Sequence, residues 1–179
     1  MFGAYHLLPA GSPSNGRPSM KLHRLRTVQH LPVPPEQVWD FFVSPKNLAR
    51  VAPPEIDFQM TNRPPDPLRP GTLLTYRLRP LFGIPLQWMT EIQHMEPPHY
   101  FVDEQRFGPY KLWHHQHDFR PISGGTEVVD DLHYALPLSP FGELAHGLVR
   151  RRLEEIFAFR RQVLEEHFGA WTSAGKEAA

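Results

Sequence analysis

SPFGELAHGLVRRRLEEIFAFRRQVLEEHFG, residues 139–169, has the pattern of one long amphipathic helix. Ser139 is a good N-cap, and Pro140 suits the first helical position. Glu143 in the opening turn complements the positive end of the helix dipole. Phe141, Leu144, Ala145, Leu148, Val149, Leu153, Ile156, Phe157, Leu164 and Phe168 recur at helical spacing and make one apolar stripe. Gly169 is a natural stop. A helix over Pro140–Phe168 would be about 40 Å long at ~1.5 Å per residue. So long an apolar stripe needs a large partner surface, and the upstream chain reads mostly as strand. The expected partner is therefore a sheet.

Lys21–Leu31 alternates as a first strand. Pro34-Pro35 opens a short helix with Val38, Phe41 and Phe42 on one face and Trp39 beside them. Ser44-Pro45 starts a second short helix, with Leu48 and Val51 inward, which Pro53-Pro54 ends. Ile56–Thr61, Thr72–Arg79, Ile84–Met95, Tyr100–Arg106, Tyr110–Arg120 and Thr126–Leu136 then read as strands. Turn signals at Phe82-Gly83, Gly108-Pro109 and Ser123-Gly124-Gly125 join several of them. The fold class is α+β: an antiparallel, strongly curved sheet of about six to seven strands wrapped around a long C-terminal helix.

The remaining composition narrows the possibilities. The 179 residues suffice for one domain, expected over residues 20–169, between tails at 1–19 and 170–179. Met20, where periodic order begins, is a candidate alternative start. The formal net charge of zero argues against nucleic acid as a main partner. There is no cysteine, which excludes disulfides and thiol catalysis. No apolar run approaches the ~20 residues needed to span a bilayer, so integral membrane association is not expected. A cytoplasmic protein, monomer or homodimer, is the default expectation.

PVPPEQVWDFFVSPKNLARVAPP (residues 32–54) resembles the opening of the SRPBCC superfamily, the START-related, pollen-allergen-like helix-grip proteins. GTLLTYRL, GPYKLWHHQHDF, GGTEVVDDLHYALP and RRRLEEIFAFR are similar to a bacterial subgroup of it, ligand-binding or polyketide-cyclase-like. The resemblance covers Met20–Phe168. It implies a cavity between the long helix and the concave sheet. It says little about activity, because one scaffold hosts carriers, cyclases, hydroxylase components and regulators, and it brings no catalytic set, because no catalytic motif of the subgroup matches here.

Strand parity then selects cavity residues. Trp113, His115, His117 and Phe119 share one face of their strand, and Val128, Asp130, Leu132, Tyr134 and Leu136 share one face of the next. Leu74, Tyr76, Leu78, Leu86, Trp88 and Ile92 fit the earlier strands. On Tyr100–Arg106 parity stays open between Phe101, Asp103 and Gln105 and the opposite set Tyr100, Val102 and Glu104. The candidate ligand-binding residues are Tyr76, Trp88, Asp103, Gln105, Trp113, His115, His117, Asp130 and Tyr134. Arg150-Arg151-Arg152 reads as a solvated helix flank, with Glu154 and Glu155 in ion-pairing reach.

His115 and His117 stand at i and i+2 on a strand and point the same way. Such a pair can give a zinc ion two nitrogens, with Asp130 or Asp103 as a third ligand. Spacing fixes no third ligand, so the preferred reading is metal-free: two half-buried histidines bonded to neighbours, with no cofactor. Asp130 is read first as a structural partner for them, and second as one half of an acid–base dyad. Two function classes follow. One is a non-enzymatic binder or carrier of a small apolar or aromatic molecule. The alternative is a cyclase- or dehydratase-like enzyme whose catalytic candidates are His115, His117 and Asp130. The aromatic cavity favours the binder.

Overall fold

A computed structural model describes residues 20–138 and 141–172 of the chain. Seven strands form one antiparallel sheet: β1 (His23–Leu31), β2 (Gln59–Met60), β3 (Leu73–Leu78), β4 (Leu86–Glu96), β5 (Tyr100–Phe107), β6 (Leu112–Ile122) and β7 (Gly125–Ala135). Their order in space is β1-β7-β6-β5-β4-β3-β2. Consecutive strands are neighbours throughout, except that β1 closes the far edge beside β7. Register shifts between Met89 and Thr90 and between Ile92 and His94 interrupt the β4–β5 pairing. Such irregularities bend and twist a sheet locally.

Helix α1 (Pro35–Phe42) begins at the double proline as the sequence predicts, with Val38, Trp39 and Phe41 buried. Trp39 packs edge-on against Phe101 and Phe119. This joins α1 to the centre of the sheet. The expected second short helix is only a 3-10 turn at Pro45–Asn47. Asn47 donates its side-chain amide to the Phe41 carbonyl at 2.9 Å, which ties the turn back onto the end of α1. The strand expected over Ile56–Thr61 shrinks to β2, because Asp57 adopts a left-handed conformation at φ 47° and breaks the extended run.

The C-terminal helix also differs from expectation. It is divided into α2 (Phe141–Leu144) and α3 (His146–Phe168), with a tight turn at Ala145 between them. The Ala145 amide bonds the Gly142 carbonyl, three residues back rather than four. Gly142 and Gly147 flank the break, and glycine is a poor helix former. The predicted cap at Ser139-Pro140 lies outside the described residues. α3 alone is about 35 Å long at ~1.5 Å per residue. Its buried residues are Leu153, Phe157 and Leu164. Leu144 and Leu148, which the sequence places on the stripe, are 87% and 44% exposed. They face away from the sheet, whereas Glu143 and His146 beside them contact His23 of β1 and Tyr134 of β7.

Two apolar clusters make the core. Leu164 joins the one that contains α1, Phe101 and Phe119. Leu153 and Phe157 join the other, with Leu132, Tyr134 and Leu136. Gly125, at the start of β7, sits directly against the Leu31 carbonyl and the Trp171 ring. A Cβ there collides with backbone that is fixed by the β1–β7 ladder. Gly125→Ala is expected to destabilise the protein by about 1–3 kcal/mol, the usual cost of overpacking. Urea unfolding checks this; an unchanged midpoint would show that the β1–β7 corner is looser than described.

Candidate functional site

The concave face of the sheet and α3 enclose a cavity of about 560 Å³. That lies within the ~300–1,000 Å³ range of small-molecule sites. Its walls are mostly apolar and rich in aromatics. Trp88, Tyr110 and Trp113 stand 4.9–5.4 Å from one another, ring centre to ring centre. Tyr76 extends this wall toward Phe58, and Phe157 comes from α3. Phe82 and Ile84, both exposed, border the cavity from the β3–β4 loop. A smaller cavity of about 140 Å³ adjoins it. Tyr76, Trp88, Trp113, His115 and Arg160 line both.

Two polar atoms on this wall lack a partner among the described residues: Trp88 Nε1 and Arg160 Nε. Burying a donor without an acceptor is costly. Burial raises the phenol pKa values of Tyr76 and Tyr110. Both remain neutral donors at any physiological pH.

At the smaller cavity lies a buried ionisable cluster built by strand register. His115 is opposite Asp103 of β5, and His117 is opposite Asp130 of β7. All four side chains point to the concave side. His115 Nε2 is 3.1 Å from Asp130 Oδ1, and His117 Nε2 is 3.0 Å from Asp103 Oδ2. Arg160 of α3 donates to Asp130 Oδ1 at 2.9 Å, and its guanidinium also rests on the Phe157 ring. Trp113 Nε1 donates to Asp103 Oδ1 at 3.3 Å. His117 Nδ1 comes within 2.7 Å of Asp130 Oδ1 but lacks the alignment of a hydrogen bond.

The environments push the two imidazoles apart. Burial, with His117 beside it, moves His115 down to about 4, so it is neutral at pH 7. Burial also opposes charge on His117, but its contacts to Asp103 and Asp130 outweigh that and hold it above the ordinary histidine value. Asp130 stays well below the usual carboxylate range, because Arg160 and the imidazoles overcome its desolvation. Asp103 is lowered in the same way, chiefly by the His117 bond against its own burial.

Most residues singled out from sequence meet here. Tyr76, Trp88, Trp113 and His115 line the larger cavity. Asp103 and His117 line the smaller one. The open parity on β5 resolves to Phe101 and Asp103 inward. Three expectations need correction. Gln105 is absent from the wall: its side chain bonds both the amide and the carbonyl of Tyr110 and clamps the β5–β6 turn. Gln105 keeps the register of Asp103, opposite Thr90, but the shift falls just beyond it, where the strand leaves for the turn that its side chain clamps. Tyr134 is fully buried behind Tyr110 and makes its hydroxyl contact to His146, 3.2 Å away. Asp130 lies beneath the two imidazoles and contacts them rather than the cavity space.

Sequence reasoning missed Arg160 and Tyr110. Arg160 carried a readable signal: it stands three residues after Phe157 and four before Leu164, on the buried stripe. A charge at such a position needs a buried partner. Tyr110 sits in the turn before β6, where strand parity gives no direction. Arg150 and Arg151 pair with Glu154 and Glu155 on the exposed flank as expected. Arg152 instead turns inward and donates to the Pro80 carbonyl, fastening α3 to the chain after β3.

Residues 29–168 match the family described as Domain of unknown function (DUF8410). The chain belongs to that family. No curated protein matches it in sequence. Solved structures of the same fold include TTHA0849 from Thermus thermophilus, 22% identical with a TM-score of 0.64, which covers 80% of this chain and 95% of its own. The Zhui aromatase/cyclase from Streptomyces sp. R1128 is 10% identical with a TM-score of 0.66, covering 82% and 93%. Ginseng major latex-like protein 151 from Panax ginseng is 11% identical with a TM-score of 0.58, covering 82% and 97%. At these identities the likeness shows the fold alone: this DUF8410 chain has the helix-grip architecture of the SRPBCC proteins that its sequence resembles. No helix among the described residues is long and apolar enough to cross a membrane.

Proposed function

We propose that the protein binds or carries a small hydrophobic or aromatic molecule between α3 and the concave face of the sheet. The observation that carries this reading is the 560 Å³ cavity walled by Trp88, Tyr110, Trp113 and Tyr76, with His115 and Arg160 among its lining residues. Apolar walls supply affinity, and a few polar groups fix orientation. The ligand that suits both is a flat or branched apolar body bearing at least one acceptor oxygen. The neutral charge and the ligand-sized cavity call for a small-molecule partner rather than nucleic acid.

The test is uptake of N-phenyl-1-naphthylamine, an uncharged aromatic probe, followed by its own emission and by tryptophan quenching. Trp88→Ala and Trp113→Ala are each expected to weaken uptake about tenfold or more, which corresponds to ~1.4 kcal/mol. Both variants should still melt cooperatively. Unchanged affinity in both would sink the assignment of this cavity.

The polar end of the cavity favours a second reading, a cyclase- or dehydratase-like enzyme. His115 reaches both cavities and bonds Asp130, so His115 or His117 with Asp130 would move protons on a ligand held by the aromatic wall. The fold shared with an aromatase/cyclase supports it. Native mass spectrometry separates the two readings: a carrier releases its co-purified ligand unchanged, whereas an enzyme releases a product of different mass or isomer.

A further inference from the structure

We propose that Asp103, His115 and His117 form a binding site for a divalent transition-metal ion, with Asp130 as its outer support. Donor atoms of the three residues lie within 4.8 Å of one another. His115 Nδ1 and His117 Nε2 both face Asp103 Oδ2, at 3.7 and 3.0 Å. Ligands about 2.05 Å from a tetrahedral zinc ion are about 3.3 Å apart, so these separations bracket what an ion needs. Two imidazoles and one carboxylate are a donor set for zinc, iron or cobalt rather than for calcium or magnesium.

The ring nitrogens that would not bind the ion are already directed. His115 Nε2 and His117 Nδ1 both lie on Asp130 Oδ1, at 3.1 and 2.7 Å. Carboxylates that accept from the far nitrogen fix the tautomer of a metal-binding histidine. Without an ion, a proton on His117 Nε2 bridges it to Asp103 Oδ2, and Nδ1 of His115 faces the same oxygen; a divalent ion would take the place of that proton. The other oxygen of Asp103 accepts from Trp113, so that carboxylate is oriented too. Arg160 occupies Asp130 Oδ1, which keeps Asp130 in the supporting role.

The three ligands line the smaller cavity of about 140 Å³. This is several times the ~30 Å³ share of one water, so the remaining coordination positions can hold solvent or a ligand atom. A divalent ion together with Arg160 outweighs the two carboxylates by one charge. An anionic oxygen in the open position is therefore favoured. The ion site does not depend on which molecule fills the larger cavity.

The experiment uses tag-free full-length protein, stripped with chelator and titrated with Co2+ and then Zn2+. One equivalent of Co2+ is expected to give visible ligand-field bands, which Zn2+ abolishes. Zn2+ is expected to raise the melting temperature. Asp103→Asn, His115→Gln and His117→Gln should each lose the bands, and Asp130→Asn should weaken Co2+ binding about 10–100-fold, as supporting carboxylates do. His114→Gln is the control, because His114 pairs with Glu104 away from the cluster, and it should bind as wild type does. Circular dichroism of each stripped variant confirms its fold before titration. Two results overturn the proposal: a wild-type protein without bands or a Zn2+-dependent shift, or bands that persist in a folded Asp103→Asn and His117→Gln.

Discussion

A chain ending at Leu138 should show no cooperative thermal transition. α3 supplies Leu153 and Phe157 to one apolar cluster and Leu164 to the other, so its removal damages both. Each such side chain contributes roughly 1.5–3 kcal/mol when fully buried, or about 5–9 kcal/mol for the three. Half-buried Val149, Ile156 and Phe168 add to that. A whole domain commonly retains only ~5–15 kcal/mol of net stability. The loss is not confined to apolar contacts. Removing α3 takes Arg160 away from Asp130 and leaves a carboxylate among two imidazoles without its full cation. The Gln29 amide also loses its acceptor, the Arg161 carbonyl. Calorimetry and far-ultraviolet circular dichroism on the shortened chain check this. A sharp melt with native strand signal would show that the sheet folds without the helix it encloses.

How legible the molecule is from its sequence follows from which forces are local. The α3 stripe survives in the fold because apolar residues three and four apart must share a face. Periodicity assumes one unbroken helix, so it predicts cover for Leu144 and Leu148; the helix is divided at Ala145, and both are exposed. The parity of β6 is readable because Trp113 and Phe119 lie on the same side as His115 and His117. β5 mixes polar and apolar residues on both faces, and only pairing with β6 turns Asp103 inward. Gln105 shows the limit of parity: it shares the register of Asp103, yet its side chain is taken up by the Tyr110 backbone at the strand end. The cluster joins Asp103 to His117 and His115 to Asp130, pairs 14 and 15 residues apart, which spacing within one strand cannot supply. Arg160 completes the cluster from yet another element.

Arg160 is where a single substitution should cost most. Its guanidinium is largely buried and donates to Asp130 Oδ1 at 2.9 Å. Forming such a pair need not stabilise a protein relative to an apolar replacement of both partners, because both charges are desolvated. Removing one partner is different: it leaves the other charge buried and uncompensated, at a cost of about 3–5 kcal/mol. Arg160→Leu keeps apolar contact with Phe157 but leaves Asp130 facing only the imidazoles. It is expected to lose about that much in urea unfolding, measured with chelator present so that no ion substitutes for the lost cation. Asp130→Asn removes the stranded charge while keeping most of the shape. The double variant should therefore be less destabilised than the two single losses added together, with a coupling of about 1–3 kcal/mol, as for other residues in one network. Additive losses would mean that Arg160 and Asp130 do not pair in solution. A loss below about 0.5 kcal/mol for Arg160→Leu alone, the level of an ordinary surface substitution, would mean that the side chain lies out in solvent and does not complete the cluster around Asp130.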